Sequence, residues 1–347
     1  MNKIIIKNIS IKDAIKQLDV TAKKILFIVN NNNQLIGTLT DGDVRRWILK
    51  NGSFNEPVSK IMNRNPIFLN INNKDNAKKN IEEKNIDALP IVNDKNVIVD
   101  IIFRNELFNY QVSYYNEIST PVVIMAGGKG TRLQPYTKIL PKPLIPIGDT
   151  SITERIINRF VKFGIKEFYM TVNYKKNMIK AYFEELEKNY KLHYVEETNF
   201  LGTAGSLYLL NETINETFIV TNCDILVEAD YLDILNYHKK NKNYITMVTS
   251  LKNYEIPYGV IKLADNGDVK QTIEKPEYSF LINAGFYVLE PEVLDDIPKN
   301  TFFHITDLIN KYLGEGKKVG TYPITENAWL DMGEFKEMKR MEEMLGI

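Results

Sequence analysis

From Pro121 onward the chain alternates between two hydrophobic periods. Val122-Val123-Ile124-Met125 is an unbroken apolar run rich in β-branched residues, which predicts a buried strand. Ser151–Gly164 then places Ile152, Ile156, Ile157, Phe160 and Val161 on one helical face and stops at Gly164. Strands are predicted at Glu167–Val172, Leu192–Val195 and Phe218–Thr221, with helices at Lys175–Glu187, Thr203–Leu210 and Asp230–Lys240 between and after them. Strands and helices taking turns in this way predict an α/β fold with a mixed, mostly parallel sheet flanked by helices. Further on, strands dominate: Tyr244–Ser250, Gly259–Ala264, Val269–Glu274 and Ile282–Leu289, with Asn266-Gly267 marking a hairpin turn. A helix at Ile305–Leu313, a strand at Lys318–Pro323 and an amphipathic helix at Glu334–Leu345 finish the chain. This later run is expected to wall one side of a cleft.

Before Pro121 the pattern is different, because it repeats. Ala14 matches Ala77, Lys16 matches Lys79, Ile28-Val29 matches Ile91-Val92 and Asp43 matches Glu106, all at one spacing. Each copy predicts a helix (Ile11–Leu18; Asp75–Lys84), an apolar strand (Ile25–Val29; Ala88–Val92), a polar turn, a second strand and a closing helix. Gly37-Thr38-Leu39-Thr40-Asp41-Gly42-Asp43 resembles the G-x-x-[ST]-x-x-D element of CBS domains, which occur as tandem pairs and often bind adenine nucleotides. That resemblance implies ribose contacts at Thr40 and Asp43, although a hydroxyl and a short carboxylate also cap helices. The second copy carries Phe103 where the first has Thr40, so at most one of the two sites looks competent. The expected division is a regulatory or oligomerising pair at 1–118 and a second domain at 119–347, with a linker at 110–120.

Charge and composition narrow the function classes. The 347 residues carry 44 basic and 44 acidic side chains, so no net charge draws the chain to nucleic acid or to an anionic membrane. No apolar run reaches the roughly 18 residues of a membrane span, and the start of the chain does not read as a signal peptide. The single cysteine, Cys223, excludes an internal disulfide and reads as a core residue, so a reducing, cytoplasmic setting is expected.

The candidate chemistry begins where the run Val122–Met125 ends, in AGGKGTRLQPYTKILPKP. Ala126, Gly127, Gly128, Gly130 and Thr131 leave a sheet edge, which is where α/β sheets bind ligands. Glycines there let backbone N–H groups approach an anion, Arg132 can fork onto phosphate oxygens, and Lys142 adds a charge between two prolines. The Walker A pattern is absent, and the dinucleotide fingerprint fails because its third glycine would fall at Leu133, which argues against a dinucleotide-dependent oxidoreductase. Asp224 ends the apolar strand FIVTNCD, and Asp331 lies in WLDMG. Each alone is an ordinary turn residue, but a pair of carboxylates is what Mg²⁺ takes when phosphates and waters complete its shell.

G-G-x-G-x-R-L followed by P-K-P, with Asp224 and Asp331 in order behind it, resembles the signature of sugar-1-phosphate nucleotidylyltransferases across residues 121–335. The resemblance implies a Rossmann-like nucleotidyltransferase domain, Mg²⁺ on the two aspartates, and a nucleoside triphosphate and a sugar-1-phosphate as substrates. It further implies that Gly202, Thr203 and Ala204 lie beside the nucleotide, that Tyr258, Gly259, Glu274 and Asn283 meet the sugar, and that Lys275 reaches the sugar phosphate. With a CBS pair in front, the chain resembles a subgroup that includes guanylyltransferases acting on glucosamine-1-phosphate for legionaminic acid. GTP and glucosamine-1-phosphate are therefore the expected substrates. UTP or dTTP with glucose-1-phosphate, or GTP with mannose-1-phosphate, are the alternatives. A nucleotide-sensing protein without turnover is the rival from another class, opposed by the presence of Arg132, Lys142, Asp224 and Asp331 together. A homo-oligomer, dimer or higher, is expected from the CBS pair.

Overall fold

The computed structural model describes residues 4–21, 23–107, 118–333 and 335–346. The chain divides into two compact units, residues 1–113 and 114–347. Most of the linker expected at 110–120 lies outside the described residues.

In the first unit the repeat is a repeat of structure. Ile5–Ile6, Ile25–Val29 and Leu35–Thr40 form one three-stranded sheet; Leu69–Asn70, Ala88–Val92 and Ile98–Phe103 form the other. Each pairs its first two strands in parallel and its last two antiparallel. The register shifts at the matching place in both copies, between Ile28 and Val29 and between Ile91 and Val92. Asn33 and Asn96 take left-handed backbone at the two equivalent turns, a conformation asparagine tolerates better than most residues. Neither copy can bury its sheet alone. Phe27, Val29 and Leu35 of one and Ala88, Val92, Ile98 and Ile101 of the other share a core, and Leu35 N donates to Asn96 O at 2.9 Å across the join.

In the second unit one seven-stranded sheet runs in the order Lys191–Glu196, Glu167–Val172, Val122–Met125, Phe218–Asn222, Glu277–Leu289, Ile245–Glu255, Val319–Ile324. The first four are mutually parallel, Glu277–Leu289 runs against both its neighbours, and Val319–Ile324 is parallel to Ile245–Glu255. The period of two sends alternate residues to opposite faces. Val122, Ile124, Ile219, Phe286 and Val288 enter one core with the helix Ile152–Val161, whereas Val123, Val220, Tyr287 and Leu289 enter the other with the helix Ile305–Gly314. Apolar residues on both faces of the central strands are what a sheet covered on both sides demands.

Three elements depart from the sequence pattern. The helix expected at Thr203–Leu210 is a 3-10 helix confined to Gly205–Leu210, because Ala204, at φ −136°, lies outside helical backbone; its N–H and that of Gly205 donate to Phe303 O at 3.0 and 3.1 Å. The strands expected at Tyr244–Ser250 and Ile282–Leu289 extend together to Glu255 and Glu277. Beyond the core a cross-strand aromatic contact supports the pairing, Tyr254 against Phe280 at 6.1 Å, and Tyr278 lies beside Phe280 on the same strand at 6.5 Å. The strands Val260–Leu263 and Val269–Ile273 form a separate two-stranded ribbon. Among the described residues no helix is long and apolar enough to cross a membrane.

Candidate active site

The apolar strand Val122–Met125 stops at Ala126, whose N–H bonds Thr171 O on the neighbouring strand at 3.0 Å. The chain then turns past two close neighbours. A Cβ on Gly127 would stand 2.3 Å from Glu197 Oε1, so any larger residue would have to displace the Glu197 carboxylate. A Cβ on Gly130 would stand 3.0 Å from Lys142 Cβ and 3.0 Å from Thr137 Cγ2, and Thr137 Oγ1 donates to Gly130 O at 2.9 Å. The loop is thus braced from below by the Lys142 stem. Thr131 and Arg132 remain exposed above it.

The two aspartates meet although the sequence separates them widely. Asp224 directly precedes the short strand Ile225–Val227, which pairs antiparallel with Trp329–Asp331 so that Ile225 stands opposite Asp331. Met332 N donates to Asp224 O at 2.9 Å and closes the ribbon's end. Lys142 makes an ion pair with Asp224, and the two side chains are only 13% and 7% exposed. A Cβ on Gly333 would lie 3.1 Å from Asp331 Oδ1 and 3.2 Å from Arg132 Nη1, so carboxylate and guanidinium flank one point.

The electrostatics follow from this crowding. Burial and then the charge of Asp224 push the Asp331 carboxyl up to about 6, against the pull of Lys142 and Arg132. Burial works against the Lys142 ammonium, but the Asp224 charge and their hydrogen bond outweigh it, and its pKa stands above the ordinary lysine value. Neighbouring Cys223 is buried and unpaired with any other cysteine. Burial, with Asp224 second, lifts its thiol to about 12, which removes it as a nucleophile.

One residue that the sequence did not single out stands against the glycine loop. Glu197 continues the strand Lys191–Glu196, is 3% exposed, and accepts Leu201 N at 3.0 Å on one carboxylate oxygen. Its other oxygen faces Gly127. Burial pushes its carboxyl up, against bonds from Leu201 and Thr171. The signal in the sequence was a glutamate pair at a strand end just before LGTAG. The pair is indistinguishable there from solvated charge, which is what its neighbour Glu196 is, bonded to Lys176 and Lys180 on the surface.

Gly202, Thr203 and Ala204 are brought next to Glu197 and held by a second loop. Phe303 N donates to Leu201 O at 2.9 Å, and Gly202, at φ +84°, would drive a Cβ to 2.6 Å from Phe303 O. Thr203 Oγ1 accepts Ile305 N at 3.1 Å and lies 3.3 Å from His304 Nδ1, so this hydroxyl anchors the helix Ile305–Gly314. The expected sugar contacts lie in two places, at the ends of the two-stranded ribbon and in the strand Glu277–Leu289. Tyr258, Gly259, Glu274 and Lys275 lie exposed where the two-stranded ribbon leaves the main strands, with Glu274 Oε2 3.2 Å from a Cβ on Gly259. Asn283 points its amide at Tyr287 Oη, 2.7 Å away, and accepts Gly285 N at 3.0 Å.

Chemically, the geometry offers a backbone loop and two cations for phosphates, and two adjoining carboxylates. Hard oxygen donors of this kind suit a Mg²⁺ ion that draws its remaining ligands from phosphates and water. No cluster of three or more metal-binding side chains occurs among the described residues; Asp224 and Asp331 are the residues that would hold such an ion.

The Nucleotidyl transferase profile matches residues 121–345, and the CBS domain profile matches residues 4–50 and 58–113. The catalytic subunit beta of mannose-1-phosphate guanylyltransferase from Dictyostelium discoideum is 33% identical over 223 residues, covering 62% of this chain and 61% of that protein. The bifunctional protein GlmU of Methanococcus aeolicus is 32% identical over 223 residues, covering 61% of this chain and 51% of that one. The chain therefore spans between half and two thirds of the length of these relatives. HddC from Yersinia pseudotuberculosis shares the fold with a TM-score of 0.53 at 23% identity, covering 65% of this chain and 99% of that one. With the profile spanning most of the chain and the loop and aspartates assembled as one site, this chain belongs to the nucleotidyl transferase family and carries a CBS pair before its transferase domain.

Proposed function

We propose that the chain transfers a nucleotidyl group from a nucleoside triphosphate to a sugar-1-phosphate, releasing pyrophosphate and forming a nucleotide-sugar. The observation that carries this reading is the convergence of Arg132, Lys142, Asp224 and Asp331 at the mouth of the glycine loop. A sugar phosphate oxygen attacks the α-phosphorus in line. It is already ionised, so no general base is required, and positioning and charge neutralisation carry the step. Arg132 and Lys142 offset charge on the phosphates, and the loop's N–H groups orient them. Mg²⁺ on Asp224 and Asp331 would supply further neutralisation of the triphosphate.

GTP is the preferred nucleotide in this reading, and Glu197 is the reason. A carboxylate is an acceptor only, and guanine presents two adjacent donors, N1–H and the 2-amino group, whereas the uracil edge has one donor between two carbonyls. A buried carboxylate beside the glycine loop suits the former pattern. The relatives named as mannose-1-phosphate guanylyltransferases lend the same preference. For the sugar, glucosamine-1-phosphate is favoured because Glu274 offers a charge to a 2-ammonium group, with mannose-1-phosphate as the alternative; the product would then feed nonulosonic acid synthesis of the legionaminic kind. We read the CBS pair as an oligomerising or regulatory module. Asp43 accepts both Thr40 N, at 2.9 Å, and Thr40 Oγ1, at 2.7 Å, in a capping box, so helix capping alone accounts for the pair expected to meet an adenine nucleotide.

The test is pyrophosphate release with Mg²⁺ across GTP, CTP, UTP, dTTP and ATP against glucosamine-, glucose- and mannose-1-phosphate. Turnover in the GTP row is expected, strongest with glucosamine-1-phosphate. Turnover confined to UTP or dTTP would keep the reaction and overturn the base, and no turnover in any combination would overturn the reaction itself.

A further inference from the structure

Lys142 is placed to do more than meet a phosphate. Its backbone is fixed between Pro141 and Pro143 at the start of a short 3-10 turn, Lys142–Leu144. Its stem runs past Gly130, with Cβ and Cδ at 3.0 and 3.5 Å from where a Cβ would sit. Its head bonds Asp224, largely out of solvent. The side chain therefore spans from the phosphate loop to the carboxylate pair, with its head on Asp224 and its stem beside the loop.

We infer that Lys142 is an exchangeable counter-ion: it holds the place of the metal on Asp224 in the free protein and moves to the phosphates when the nucleotide arrives. The inference rests on the reading of Asp224 and Asp331 as metal ligands. Two close carboxylates, Asp224 buried and Asp331 half-buried, repel each other with no cation between them, and a tethered ammonium removes that cost at a high effective concentration. A divalent ion entering alone has to displace it. A triphosphate on the glycine loop offers the ammonium other acceptors beside its own stem, and its departure frees Asp224. Metal and nucleotide then bind with positive coupling, and each must favour the other by the same factor.

The test is a titration of Mn²⁺ into the full-length protein without nucleotide, with free ion followed by electron paramagnetic resonance. Lys142→Met is expected to bind Mn²⁺ at least about tenfold more tightly than the parent, and Lys142→Arg, which keeps the charge, to bind like the parent. Equal or weaker binding by Lys142→Met overturns the inference. Asp224→Asn separates the two readings. If it binds Mn²⁺ as the parent does with a non-transferring GTP analogue present, the metal assignment fails and takes the inference with it. If Asp224→Asn loses Mn²⁺ while Lys142→Met is no tighter than the parent, the metal assignment stands and the counter-ion falls. Should Lys142→Met fold poorly without metal, its thermal melt decides: Mn²⁺ raises its Tm by more than the parent's under the inference, and an equal or smaller rise overturns it.

Discussion

Glu197 carries the sharpest prediction at the scale of a single residue. Burial raises its folded pKa above the roughly 4.3 of an unfolded glutamate, so between that value and the folded one the native protein binds the proton more tightly than the unfolded chain. Stability from this group is therefore present in acid and lost as pH rises through the folded value, leaving a cost at neutral pH. Glu197→Gln removes that cost. Its Tm is expected to exceed the parent's at pH 7, with the difference closing by about pH 4. The same change puts a donor where guanine needs an acceptor, so kcat/KM for GTP should fall by about a hundredfold, and by less for other nucleotides. A Tm rise with an unchanged nucleotide preference would keep the electrostatics and refute the base contact. His238 illustrates how a buried polar side chain differs from a site: fully enclosed, its ring nitrogens meet Thr246 Oγ1 at 2.7 Å and Glu290 Oε1 at 2.9 Å, and burial lowers its pKa despite the carboxylate. Its partners are satisfied and aim at no cleft.

Among the elements, the loop Leu201–Ala204 shows how a strap is fixed by backbone and not by its own helix. Gly202 and Gly267 have nearly the same φ, +84° and +87°, but a Cβ on Gly202 meets Phe303 O at 2.6 Å while one on Gly267 meets open space. Alanine at Gly267 should cost only the left-handed backbone, about 1–2 kcal/mol. Alanine at Gly202 should cost clearly more, because the opposing atom belongs to a backbone that also binds Ala204 N and Gly205 N. Paired melts of the two variants isolate that contact, and the nucleotide KM should rise for Gly202→Ala alone. Equal melts would mean that the second loop yields freely. The helix Ile152–Val161 is the opposite case, legible throughout: its apolar face enters the core and Ser151 caps it by accepting Glu154 N at 3.2 Å.

At the level of the whole molecule, both cores of the second unit are drawn from residues 118–341, and those of the first from residues 4–107. Among the described residues these clusters share no member. A chain cut to 114–347 is therefore expected to unfold cooperatively on its own and to release pyrophosphate within about twofold of the full chain. A twofold or greater drop in particle mass beyond the removed segment, by light scattering, would assign the assembly to the CBS pair. Failure of 114–347 to fold would show that the units are coupled in stability.

The order of strands and helices, the tandem repeat, the glycine loop and both aspartates were written in the sequence, because each depends on a local period or a short run of residues. The reach of the paired strands to Glu255 and Glu277 was not, since it depends on cross-strand aromatic contacts that no local window contains. Nor was the shortening of the segment after Gly202, where the fit against Phe303 leaves Ala204 outside helical backbone. Above all, the sequence could name Asp224, Asp331 and Lys142 but not their mutual distances, and it left Glu197 looking like its solvated neighbour. Only the folding of the sheet sets one glutamate outward among lysines and the next inward against Gly127, where burial makes its charge costly and its contacts specific.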